Sequence, residues 1–306
     1  MASGSKKVIY AALIGNSLIA VTKFIAASIT GSSAMISEGI HSLVDTGNQG
    51  LLLFGLRQAK KPADKDFPFG HGKEIYFWSF VVSILIFALG SGISIYEGIQ
   101  HVFHPAEITS PIINYIVLGL AILFEGGALY FAVREFNKSR GELSTLDAVK
   151  HGKDPSLFVV LFEDSAAMAG LVVALFGITM AQITGVAMWD GLASIGIGII
   201  LGLTAIWLAY ETKGLLIGES AHPRMTSAIQ LMLDNHPSID HVNEILTLHM
   251  GPEFVLVTVS ADFKNTLTGD QIEKDVHALA EQIKADHLLV KRVFIKAEHK
   301  NDFQSG

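Results

Sequence analysis

The sequence predicts a membrane protein in two parts: an all-α domain of six transmembrane helices over residues 1–215, then a small α+β cytoplasmic domain over residues 216–306 with the order αββαβ. Three observations predict it. The 306 residues are 50% hydrophobic and 17% charged, with a mean hydropathy of +0.44, whereas a soluble globular chain carries about 25% charged residues. Six stretches are long and apolar enough for a bilayer core of about 30 Å, which needs roughly 20 residues per helix. Charge then rises at the boundary: 30 of the first 215 residues are charged against 21 of the last 91, where Asp and Glu outnumber Lys and Arg by 13 to 8.

The same composition excludes a wholly soluble enzyme, a disordered chain, collagen and a disulfide scaffold. With no cysteine, thiolate zinc sites, thiol nucleophiles and Cys-x-x-Cys redox chemistry are excluded as well. A pI near 5.9 and the lack of a basic stripe argue against nucleic acid as a partner. Lys6-Lys7 precedes an apolar run too long for a signal peptide's core.

The six spans fall at about 8–29, 33–56, 75–102, 111–135, 155–181 and 187–212. Turn chemistry separates them at Thr30-Gly31-Ser32-Ser33, His104-Pro105, Ser110-Pro111 and Asp154-Pro155. Long loops follow only the second and fourth spans. Those loops and the flanking tails hold Lys6, Lys7, Arg57, Lys60, Lys61, Lys65, Lys73, Arg134, Lys138, Arg140, Lys150, Lys153 and Lys213, while the other three connections hold no Lys or Arg. By the positive-inside rule both termini are cytoplasmic, and the lack of an N-terminal extension points to a bacterial inner membrane. From residue 216 the pattern becomes soluble. A short amphipathic helix over Thr226 to Asn235 ends before His236-Pro237, and two strand-like runs from Glu244 and Glu253 flank Gly251-Pro252. Thr268 N-caps a helix with apolar Ile272, Val276, Leu279 and Ile283, and Leu288 to Ala297 forms a last strand.

Ionisable groups inside a span are costly and mark function. Here they are Lys23, Glu38, His41, Asp45, Glu97, Glu125, Glu163, Asp164 and Asp190. Glu38, Glu97 and Asp190 read as structural, near helix ends or paired with Lys23. His41 and Asp45 lie four apart on one helix face, where they either chelate a borderline metal such as Zn²⁺ or form a buried hydrogen bond between helices. Glu163-Asp164 sits mid-span with no Lys or Arg in its helix, so a divalent ion is the natural source of the missing positive charge.

Together these features resemble the cation diffusion facilitator family. Gly31-Ser-Ser-Ala-Met-Ile-Ser-Glu-Gly-Ile-His-Ser-Leu-Val-Asp is similar to the family's entry to the second helix. Pro68-Phe-Gly-His-Gly-Lys is similar to its signature before the third, and His249-Met-Gly-Pro-Glu to its hairpin. The resemblance, closest to the branch of mitochondrial zinc transporters of animals, implies a proton-coupled exporter of Zn²⁺ rather than an enzyme. It also implies a homodimer joined through both domains, with a metallochaperone-like, ferredoxin-like cytoplasmic domain. Carried over by position, His41, Asp45 and Asp164 are the transport ligands. Val160 stands where the family's fourth ligand is usually histidine, leaving Glu163 or water to complete the site. An oxygen-richer set of that kind admits Mn²⁺, Fe²⁺ or Co²⁺, and an incomplete one fits a non-transporting metal sensor. No Lys or Arg is expected near the site. Asp64 and His71 match a second, interfacial metal site, or are a solvated charge and a loop hinge. The positions of the family's cytoplasmic dinuclear zinc site hold Asn243, Val259, Glu273, Lys296 and Glu298. A lysine among them predicts that this domain serves dimerisation instead, with most of the seven histidines after 216 on the surface.

Overall fold

The computed structural model describes residues 2–105, 111–139 and 155–303. Ser110, Arg140, Lys150, Lys153 and Asp154 lie outside the described residues. The chain divides into two compact units, Met1–Gln58 with Glu74–Lys213, and Ala59–Lys73 with Gly214–Gly306.

The first unit is helical: α1 (Ala2–Thr30), α2 (Ser33–Gln58), α3 (Glu74–Leu85), α4 (Gly92–Phe103), α5 (Pro111–Ser139), α6 (Pro155–Thr184) and α7 (Met188–Ile217). The third expected span is α3 and α4 joined by a π-helical turn at Ile86–Ser91. Turns of this kind interrupt α-helices locally and recur at functional sites. Among the described residues, four segments are long and apolar enough to cross a membrane: Glu74–Phe103, Ile112–Arg134, Phe158–Thr184 and Met188–Ile217. Their outward residues, among them Phe103, Leu123 and Ile183, are large, apolar and exposed, as suits lipid rather than water. Helix α2 differs because its inner face is polar, with Ser37, Glu38, His41, Ser42, Asp45, Asn48 and Gln49 all buried. It packs against α1, α3, α4 and α6, which makes it the shared wall of the bundle.

The second unit holds α8 (Pro223–Asp234), β1 (Ile239–Gly251), β2 (Phe254–Phe263), α9 (Gly269–Asp286), β3 (Val290–Ala297) and a short α10 (Lys300–Phe303). The αββαβ order is present, with α10 added. Helix α8 starts before the expected Thr226 because Pro223 suits the first helical position and His222 Nδ1 accepts from Arg224 N–H at 3.1 Å. At α9, the Gln271 side chain reaches back to Thr268 N–H at 2.8 Å, one half of a capping box. The sheet runs β1-β2-β3, with β2 antiparallel to β1 and parallel to β3. Val255, Val257, Val259 and Ala261 of β2 turn to Ile229 and Leu233 of α8 and Leu279 and Ile283 of α9. Burying each of these larger side chains contributes about 1.5–3 kcal/mol, and Leu279→Ala would cost about 2–5 kcal/mol. The other face carries the cross-strand row Leu246, Thr258 and Phe294, whose Leu246 and Phe294 are half-exposed. The 59–73 loop joins this unit because Gly72 and Gly251 meet backbone to backbone: a Cβ at Gly251 would lie 3.1 Å from Gly72 Cα.

Candidate metal site

Helix α2 presents Glu38, His41, Asp45 and Asn48 at spacings of three, four and three, so all share one face. None of the four is more than 3% exposed. His41 Nδ1 stands 3.4 Å from Asp45 Oδ1, but neither atom makes a hydrogen bond, and His41 Nε2, Asn48 Oδ1 and Glu38 Oε1 also lack one. Asn48 Nδ2 donates to Glu163 Oε1 of α6 at 2.6 Å, and the Asp45 and Glu163 carboxyls lie within hydrogen-bonding reach of each other. Asp164 is buried beside them, close enough to interact electrostatically with Asp45, Glu163 and Glu125 of α5. Buried polar atoms are almost always satisfied, so orphaned donors and acceptors gathered on one face point to chemistry that uses them.

The structure thus brings His41, Asp45, Glu163 and Asp164 to one buried zone between α2 and α6. As they stand, no three His, Asp or Glu side chains among the described residues are gathered tightly enough to hold a metal ion. His41 leans on Asp45, and Glu163 is held by Asn48. Val160, half-buried on α6, offers no donor. Glu125 belongs to the zone although its sequence gave no reason to set it apart from the other acidic residues in the spans. Its Oε1 is buried without a partner.

One expectation is corrected. A cation does lie near the site: Lys23 Nζ of α1 is fully buried, 2.9 Å from Glu38 Oε2 and 2.8 Å from Ser42 Oγ, next to His41. The pairing of Glu38 with Lys23 is among the readings the residues offer; that the pair stands beside His41 follows from the packing of α1 on α2 and has no sequence signature. Removing one partner of a buried pair strands the other charge, so Lys23 and Glu38 are tied to each other. Glu38 Oε1 in turn points at Gly170 of α6, where a Cβ would sit 2.5 Å away.

In the loop, Asp64 and His71 are together, with Nε2 and Oδ2 2.9 Å apart. Asp64 Oδ1 also accepts from Phe67 N–H at 2.7 Å and Asp66 N–H at 3.0 Å, and the Phe67 ring packs on His71. The His71 hydrogen bond, then the Phe67 one, holds the Asp64 carboxyl below its ordinary range. In the sheet unit Lys296 Nζ lies 2.6 Å from Glu298 Oε1, Ser260 Oγ donates to Glu298 Oε2 at 2.7 Å, and Asn243 Nδ2 donates to the Glu298 carbonyl at 2.9 Å. Lys296 first, then Ser260, keeps the Glu298 carboxyl below its ordinary range. Of the seven histidines in this part, His249 is buried and the others are exposed or half-exposed.

A bundle of apolar helices wrapped around buried imidazole and carboxylate groups defines a multi-pass membrane protein with an internal polar site. Residues 9–217 match the cation efflux transmembrane domain, and the chain belongs to the cation efflux family, the cation diffusion facilitators. It is 33% identical over 274 residues to the human mitochondrial proton-coupled zinc antiporter SLC30A9, covering 89% of this chain and 48% of that protein. It is 29% identical over 265 residues to metal tolerance protein C4 of Arabidopsis thaliana, covering 86% and 58%. It is 23% identical over 275 residues to the cation-efflux pump FieF of Cronobacter sakazakii, covering 89% and 84%. The chain spans about half the length of the animal relatives it matches. These relatives are transporters, not enzymes.

Proposed function

We propose that this chain exports Zn²⁺ in exchange for protons by alternating access across six membrane spans, with His41, Asp45 and Asp164 as transport ligands and Glu163 completing the set. The observation that carries this reading is the face of α2, where buried imidazole and carboxylate atoms lacking hydrogen-bond partners meet the carboxylates of α6. Metal ligands must be deprotonated, so metal binding releases protons. An incoming divalent cation would displace any proton shared by neighbouring carboxyls such as Asp45 and Glu163. Proton-coupled zinc antiport in the name of the human relative supports the same assignment.

The boundary between transporting and cytoplasmic parts lies near residue 215, and both termini face the side where the Lys and Arg residues gather. The exporter works as a homodimer. Its cytoplasmic contact uses the sheet face of Leu246, Thr258 and Phe294, opposite α8 and α9, where Leu246 and Phe294 are half-exposed. Asp64 and His71, partly satisfied by each other, make a second and weaker metal site. The oxygen-rich donor set left by Val160 favours a second reading, in which Mn²⁺, Fe²⁺ or Co²⁺ is carried as well. Metal uptake by proteoliposomes under a pH gradient, with the four metals side by side, tests both: zinc first supports the main reading, another metal first supports the second. Saturable binding without flux would favour the sensor.

A further inference from the structure

We propose that Asp190 is a latch that closes the end of the bundle where α2 and α7 begin. The carboxylate is fully buried in the first turn of α7. Its Oδ2 accepts from Ser33 N–H at 2.5 Å, Ser33 Oγ at 3.0 Å and Ala34 N–H at 3.4 Å, and its Oδ1 accepts from Ser32 Oγ at 2.7 Å. The two N–H groups belong to the first turn of α2, whose amides have no partner within the helix. Ser32 Oγ already serves that helix locally by accepting from Met35 N–H at 3.2 Å. Asp190 therefore adds a second cap, delivered from another helix, and sets a negative charge against the positive end of the α2 dipole.

What the cap is fastened to matters as much as the cap. Gly98 of α4 and Gly191 of α7 meet backbone to backbone: a Cβ at Gly98 would lie 2.7 Å from Gly191 O, and one at Gly191 2.9 Å from Gly98 O. Ser33 Oγ also bonds Ser194 Oγ of α7 at 2.8 Å, and His101 Nδ1 of α4 stands 3.8 Å from Asp190 Oδ2. On the other side Thr30 Oγ1, at the end of α1, donates to Asn114 Oδ1 of α5 at 2.8 Å. Thr30, Ser32, Ser33, Asp190 and Ser194 are all fully buried, although helix ends ordinarily meet water. Asp190 thus ties the metal-bearing helix to the α4–α7 pair and shuts water out. His41 lies eight residues further along α2, about 12 Å at 1.5 Å per residue. A cation leaving toward this end must part α2 from α7, which breaks the Asp190 bonds. Asp190 is a positioning residue: it touches no substrate and acts through α2.

The consequence for flux rests on the transport reading, whereas the latch itself is read independently of flux. Because the chain has no cysteine, Ser37→Cys places a single thiol in α2, one turn inside the latch at a fully buried position. The full chain in liposomes is treated with a membrane-impermeant methanethiosulfonate reagent on either face. Adding Asp190→Asn should raise the labelling rate from one face by about tenfold, equivalent to about 1.4 kcal/mol, and lower zinc kcat with KM unchanged. Ser33→Ala, which keeps the backbone cap and removes the two hydroxyl bonds, should raise it by a smaller factor and decides the matter if Asp190→Asn does not fold. Unchanged labelling of folded protein in these variants, with only thermal stability reduced, would overturn the latch and leave Asp190 a structural cap. Enhanced labelling with no zinc flux in any variant would uphold the latch while contradicting the transport reading.

Discussion

In the zone between α2 and α6, both ring nitrogens of His41, Asp45 Oδ1 and Asn48 Oδ1 are buried without a hydrogen-bond partner. In the second unit, Glu298 is held by Lys296 and Ser260, and Asp64 by His71 and two backbone amides; there Asn243 Oδ1 is the one buried orphan among the described residues. The two regions use the same residue types to opposite ends. Where each charge has its partner within the fold, the cluster is finished and a ligand would have to compete with internal bonds. Where burial leaves acceptors unmatched, the fold has met a desolvation cost that a cation can offset. The difference is what supports our proposal that the metal is bound in the bundle interior rather than in the acidic sheet unit.

The sharpest way to break this comparison is to remove donors from the unmatched zone. Asp45→Ala and Asp164→Ala should each reduce zinc flux by roughly a hundredfold or more, since loss of even an outer-shell partner costs about 10–100-fold; near-normal flux in folded, reconstituted variants would contradict it. Next in size is Lys23→Met, which leaves Glu38 buried without its cation and should cost about 3–5 kcal/mol in detergent unfolding. Lys23→Met with Glu38→Gln should recover most of that loss, and no recovery would show that the pair is not a unit. Val160→His adds an imidazole one turn before Asp164 and should shift metal preference toward zinc by about tenfold, the scale of one good ligand; an unchanged ranking would mean Val160 does not face the donors.

Smaller effects belong to the finished clusters. His71→Ala should change zinc flux by less than about threefold, below 1 kcal/mol, and a loss comparable to that of Asp45→Ala would erase the distinction between the regions. Acid should weaken the second unit in a defined direction. Asp64 and Glu298 are held below their ordinary values, so the folded unit binds fewer protons than the unfolded chain. Their stabilisation is present above about pH 4 and is lost as pH falls through the folded values. Glu298→Gln should flatten that acid limb, as followed by circular dichroism of the full chain.

Much of the fold was legible because it follows from periodicity and punctuation. The turns at Gly31 and Pro105 and the Thr268 cap each act over a few residues and appear in place; the apolar runs appear as helices, four of them long and apolar enough, among the described residues, to cross a membrane. What lay between distant segments was not legible. Lys23 was expected to be away from the site, yet α1 sets its ammonium on Ser42, and no local signal encodes that contact. Asp190 reads from sequence as a charge near a helix end; only packing shows that it caps a helix 157 residues away. Of the proposed site, His41 and Asp45 are legible from i, i+4 spacing on one helix, whereas Glu125 joins by the approach of a third helix.

The central claim is that metal and protons compete for the buried carboxylates between α2 and α6. Its most direct test is proton release on zinc binding, measured with the purified full chain in weakly buffered detergent solution. The account predicts at least about one proton released per zinc bound, and no comparable release in Asp45→Asn or Asp164→Asn. Stoichiometric zinc binding without proton release, or release undiminished in both variants, would contradict it.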